Sequence, residues 1–140
     1  MLYRLIRCIS SLLLELFYRR VEVVGLDRLP ATGPLLVVAN HQNGLVDGML
    51  LLAVLPRRLV TVAKAPLFGS PLIGPFLRGL GAIPVYRRQD AETGAFDPAR
   101  NADMFGAAID TLRDGGAILI FPEGVSQPEP ALMPLRTGAA

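Results

Sequence analysis

His41 is the only histidine in the chain, and Asp47 follows it within Asn40-His41-Gln42-Asn43-Gly44-Leu45-Val46-Asp47. An imidazole held by a carboxylate makes a general base able to take a proton from a hydroxyl. The spacing decides whether the two side chains can meet. On a single helix, six residues would set them about 240° apart around the axis, facing away from each other. The pair works only if His41 stays in a loop and Asp47 sits in the first turn of the next helix. Asn43 suits the N-cap of that helix. The alternative is an exposed loop histidine with no chemistry.

Two more segments carry groups fit for a site. Phe121-Pro122-Glu123-Gly124-Val125-Ser126 follows an apolar run and puts a carboxylate and a flexible glycine at its end. The plain reading is a turn with an exposed glutamate. Gly81-Ala82-Ile83-Pro84-Val85-Tyr86-Arg87-Arg88 ends an apolar stretch with two arginines. A guanidinium fork binds phosphate, although two solvated arginines would look the same. Ser126 raises the possibility of a serine hydrolase with His41 and Asp47. The run Gly124-Val125-Ser126-Gln127-Pro128, however, breaks the Gly-x-Ser-x-Gly elbow at its last position.

The elements around these groups indicate how they are held. Leu35 to Ala39, Leu59 to Ala63 and Ala117 to Phe121 are apolar runs that read as buried strands, the first covered on both faces. Ala82 to Tyr86 reads as an edge strand, because Pro84 cannot donate to a central ladder. Helices are expected from about Leu45 to Leu55, stopped by Pro56, and from Ala102 to Leu112, ended by Gly115-Gly116. Pro66 to Pro75 should be loop with short helical pieces, and residues 89 to 99 a polar loop. Strand and helix alternate, so the fold class is α/β, with a mixed, largely parallel sheet and flanking helices. In such sheets ligands gather beyond the carboxyl ends of the strands, where His41 and Glu123 both fall.

The first 18 residues form a separate unit, an N-terminal amphipathic helix. Arg4, Arg7, Ser11 and Glu15 make a narrow polar stripe, and Leu2, Leu5, Ile6, Ile9, Leu12, Leu13, Leu16 and Phe17 fill the rest of the surface. A helix this apolar must be buried in protein or in lipid. Arg19 and Arg20 at its end suit anionic head groups. No run reaches the roughly 20 apolar residues that cross a bilayer.

Composition limits the remaining choices. The chain has 140 residues, 51% of them apolar and 19% charged, which excludes a disordered chain. A net charge of +2 is too small to point to nucleic acid. The single cysteine, Cys8, excludes an internal disulfide and a multi-cysteine metal site.

Taken together and in this order, the three chemical segments resemble the glycerolipid acyltransferases, which include 1-acylglycerol-3-phosphate and glycerol-3-phosphate acyltransferases. Asn40, His41 and Asp47 match the family's first motif, Gly81 to Arg87 its second, and Phe121 to Gly124 its third. The likeness runs from about Arg19 to the end, with residues 19–140 as an incomplete catalytic domain whose C-terminal part lies beyond Ala140. Five residues separate His41 and Asp47, where the commonest form has four. Val125-Ser126 also replaces the usual Thr-Arg. The longer spacing, with Asn43, Leu45 and Asp47, and the stretch Glu129 to Leu135 resemble a branch that includes fungal-type glycerol-3-phosphate and dihydroxyacetone-phosphate acyltransferases.

The resemblance implies direct transfer of an acyl group from acyl-CoA or acyl carrier protein to a hydroxyl of glycerol 3-phosphate or a lysophospholipid. His41 and Asp47 would be catalytic. Glu123 and Gly124 would place the glycerol phosphate, and Arg87, with Lys64 and Arg88, would hold its phosphate. No metal or cofactor is expected. The partners would be membrane lipid, the thioester donor and the glycerol-phosphate acceptor. The setting would be a membrane surface, held peripherally or monotopically, with the site on the cytoplasmic side. A catalytically inactive membrane-surface module remains the other reading.

Overall fold

The computed structural model describes residues 2–87, 99–124, 126 and 131. Four strands form one sheet: β1 (Leu35–Val38), β2 (Leu59–Lys64), β3 (Ile83–Val85) and β4 (Ala117–Ile120), in the order β1-β4-β2-β3. All three pairings are parallel. The helices are α1 (Leu2–Phe17), α2 (Val46–Val54), α3 (Ile73–Leu80) and α4 (Arg100–Arg113), with short 3-10 turns at Leu26–Arg28 and Ala65–Gly69.

Connectivity sets the layers. The chain moves across the sheet from β1 to β2 to β3, then turns back to place β4 between β1 and β2. Right-handed crossovers put the helices of the outward path on one face and that of the return path on the other. Accordingly α1 packs against α2 and α3, while α4 packs against β3 and β4. The core joins Ile6 of α1, Leu52 and Leu55, Leu59, Leu80, and Ala117 and Leu119 of the central strand.

Two sequence expectations, for β1 and α1, need revising. β1 is not covered on both faces. Leu35 and Val37 pack on the core, but Leu36 and Val38 are 40% and 52% exposed, because β1 is an edge strand and α4 lies over β3 and β4. The proline-rich stretch is, as expected, loop with short helical pieces: a 3-10 turn at Ala65–Gly69, then Pro75 in the first turn of α3, where a missing N–H costs no helical bond. α1 faces both ways. Ile6, Ser10 and Leu14 are buried, whereas Leu12, Leu16 and Phe17 are 64%, 77% and 77% exposed. Tyr3 anchors its first turn, its hydroxyl accepting from the Leu59 N–H at 3.0 Å. The segment expected as a polar loop lies, apart from Ala99, outside the described residues.

The edge placement of β3 agrees with Pro84, whose missing donor needs no partner there. The end of α4 agrees as well. Gly115, at φ 73°, donates to Leu112 O and Gly116 donates to Thr111 O, the paired bonds of a Schellman motif. At the opposite edge from the expected site, Arg57 ties Pro30, Gly33 and Gly115 together through their carbonyls.

Candidate active site

Because every strand is parallel, all four carboxyl ends open on one edge, and the first and third motifs follow neighbouring strands. Val38 is in register with Ile120, and Ala39 N–H still donates to Ile120 O at 3.2 Å. Chain leaving β1 toward His41 therefore runs beside chain leaving β4 toward Glu123. His41 stacks on Phe121, with ring centroids 3.9 Å apart and planes 19° from parallel.

Local hydrogen bonding holds His41 and Asp47 together. Asn43 caps the turn into α2: its side-chain oxygen accepts from Leu45 and Val46 N–H at 3.2 and 3.1 Å, and its carbonyl accepts from Asp47 N–H. That puts Asp47 in the first turn of α2 with its carboxylate turned back toward the loop. His41 Nδ1 lies 3.1 Å from Asp47 Oδ2, which also accepts from the Asn43 N–H at 2.8 Å. A carboxylate only accepts, so Nδ1 carries the proton and Nε2 of the neutral ring is the free base. Both side chains are largely shielded, at 16% and 23% exposure, which limits competition from water.

The Phe-Pro-Glu-Gly segment is a β-turn in which Gly124 N–H donates to Phe121 O at 3.0 Å. Pro122 presets the first corner, and Gly124, at φ 71°, takes a conformation other side chains resist. Glu123 is the surprise for a plain turn. It is 4% exposed, and among the described residues its Oε2 is buried with no hydrogen-bond partner. An orphaned buried acceptor is costly, which makes this oxygen a ready partner for a donor brought by a ligand.

Arg87 emerges from β3 and donates through Nη1 to the Gly124 carbonyl, joining the second motif to the third. Asn101 of α4 fixes the residue before it, exchanging bonds of 3.0 and 2.9 Å with the Tyr86 backbone. Lys64 is exposed at the end of β2, in register with Val85 on the same sheet edge. Arg88 lies outside the described residues. Ser126 is exposed beside Gly44, where an added Cβ would approach its Oγ to 3.0 Å.

The structure thus brings together His41 with Asp47, and Arg87 with the Gly124 turn. Sequence reading missed Phe121 as the platform under the imidazole and the Asn43 N–H as a second donor to Asp47. The first would have required knowing that β1 and β4 are neighbours.

The chain is similar to several known acyltransferases. A mouse 1-acyl-sn-glycerol-3-phosphate acyltransferase alpha is 33% identical over 122 residues, covering 86% of this chain and 39% of its own. The 1-acyl-sn-glycerol-3-phosphate acyltransferase of Bacillus subtilis is 31% identical over 120 residues, covering 85% of this chain and 54% of its own. An uncharacterized acyltransferase of Schizosaccharomyces pombe is 40% identical over 87 residues, covering 59% of this chain and 13% of its own. The chain therefore spans about half or less of the length of these relatives. The crystal structure of the 1-acyl-sn-glycerophosphate acyltransferase PlsC from Thermotoga maritima has the same fold, with a TM-score of 0.72 at 23% identity over 98% of this chain and 50% of that one. The acyltransferase family model matches residues 20–140. With the motif order and the fold in agreement, the chain belongs to the acyltransferase family, among its glycerolipid members.

Proposed function

We propose that the protein transfers a fatty acyl group from a thioester, acyl-CoA or acyl carrier protein, to a hydroxyl of a glycerol phosphate, with lysophosphatidate the first acceptor to test. The observation that carries this reading is the His41–Asp47 contact, which leaves Nε2 as the basic nitrogen at the sheet edge shared with Glu123. His41 Nε2 takes the acceptor's hydroxyl proton as the oxygen attacks the thioester carbonyl carbon. The C–S bond then breaks, and the imidazolium returns the proton to the departing thiolate. An ester and a free thiol result, and Asp47 keeps the imidazolium oriented throughout.

The other roles follow from chemistry. The buried Oε2 of Glu123 accepts from a glycerol hydroxyl, and Gly124 lets the backbone approach closely. Arg87, held beside the Gly124 turn, binds the phosphate through its guanidinium, and Lys64 and Arg88 add positive charge. Residues 1–18, which contain α1, are the membrane-associating segment and 19–140 the catalytic domain. No helix of the described residues is long and apolar enough to cross a membrane. The exposed apolar face of α1, with Leu12, Leu16 and Phe17 outward, supports association by lying in the interface.

The test is transfer of radiolabelled acyl-CoA by the full-length protein to glycerol 3-phosphate and to lysophosphatidate, each offered alone. Label in a phosphate-bearing ester is the expected result. Release of free fatty acid with neither acceptor acylated would refute the reading and restore the Ser126 hydrolase.

A further inference from the structure

Asn43 is bound to Asp47 from both sides of its peptide: its N–H donates to Asp47 Oδ2 at 2.8 Å, and its carbonyl accepts from the Asp47 N–H at 3.2 Å. Its side-chain oxygen closes the turn between them by accepting from Leu45 and Val46. A capping box returns a side chain from the third helical position to the N-cap N–H. Here the returning carboxylate comes from the fourth position after Asn43, one residue further on. The longer return needs a closed turn, because the same Oδ2 must also meet His41 Nδ1 at 3.1 Å. We propose that Asn43 is the positioning residue that sets Asp47 for His41, an inference that rests on the acyl-transfer reading above. Its amide closes the turn, the closed turn aims the Asn43 N–H at Oδ2, and that bond stops the carboxylate from rotating away from the imidazole.

The test uses the full-length protein and the two-substrate assay. Asn43→Ala should lower kcat by about 10²-fold, the scale of a misplaced catalytic group, with both KM values nearly unchanged. Asn43→Ser and Asn43→Asp keep a capping oxygen and should recover most of that loss. In an Asp47→Ala background, Asn43→Ala should cost little more, because the group it positions is gone. If Asn43→Ala does not fold, Asn43→Gln makes the same comparison, since its longer side chain holds the amide out of capping reach. A kcat within about twofold of wild type would overturn the proposal, as would failure of both Ser and Asp to rescue, or an undiminished loss without Asp47. His41→Ala separates the two levels of failure. A protein that still transfers after His41→Ala refutes His41 as the base of the proposed mechanism, whereas one silenced by His41→Ala but indifferent to Asn43→Ala refutes only the role of Asn43.

Discussion

The imidazole of His41 does two jobs that substitution can separate. It stacks on Phe121 and it carries the basic nitrogen, so His41→Ala should lose both packing and chemistry. Activity is expected to fall by about 10³-fold or more, roughly 4 kcal/mol of transition-state stabilisation. His41→Phe should keep the stack, worth about 0.5–1.5 kcal/mol, and still be inactive, with a melting temperature closer to wild type than that of His41→Ala. Ser126→Ala should be mild; a loss equal to that of His41→Ala would point to a covalent route through the serine. Arg87→Ala should raise the acceptor KM well above any change in the donor KM. Arg87→Lys should rescue poorly, since an ammonium cannot bond the Gly124 carbonyl and a phosphate with one planar fork. Equal shifts for both substrates would remove Arg87 from the phosphate site.

Elements that hold the site in place differ in how much change they accept. Gly74, in the first turn of α3, leaves room for Phe68: an added Cβ would come within 2.3 Å of the Phe68 carbonyl oxygen. Gly79, five residues further along, faces Leu2 of α1, where an added Cβ would come within 2.4 Å of a side-chain methyl. Backbone cannot yield as a leucine tip can. Gly74→Ala should therefore destabilise by about 1–3 kcal/mol, and Gly79→Ala by clearly less. Thermal melting of the two variants side by side checks this, and equal losses would show that the α1–α3 contact is as rigid as the backbone turn.

Across the molecule, α1 lies between the rest of the fold and its surroundings. Ile6, Ser10 and Leu14 are buried within the fold, while Leu12 and Leu16 point outward. Deleting residues 1–18 would strip the core as well as the outer face, which makes deletion a poor test of membrane binding. Leu12→Glu with Leu16→Glu should instead release the full-length protein from anionic vesicles in a flotation assay, with its melting temperature preserved. Each buried leucine is worth about 1.5–3 kcal/mol to an interfacial helix, so even partial loss should be visible. A double variant that floats as well as wild type would move the lipid-facing surface elsewhere.

Local chemistry explains why much of this was readable in the sequence. Asn43 as a cap, Pro84 at an edge, Gly115-Gly116 as a helix stop and the strand runs at Leu59 and Ala117 depend on bonding within a few residues. The condition that His41 stay in a loop while Asp47 begins a helix followed from helical geometry alone, and α2 meets it. Only the tertiary structure decided what depends on neighbours distant in the chain. Placing β4 between β1 and β2 brought Phe121 under His41, left Leu36 and Val38 half exposed, and set Arg87 against Gly124. The same holds for α1, whose apolar circumference was legible but whose inward side was not. An apolar side chain records only that it avoids water, and packing against α2 and α3 determines which of them the protein itself buries.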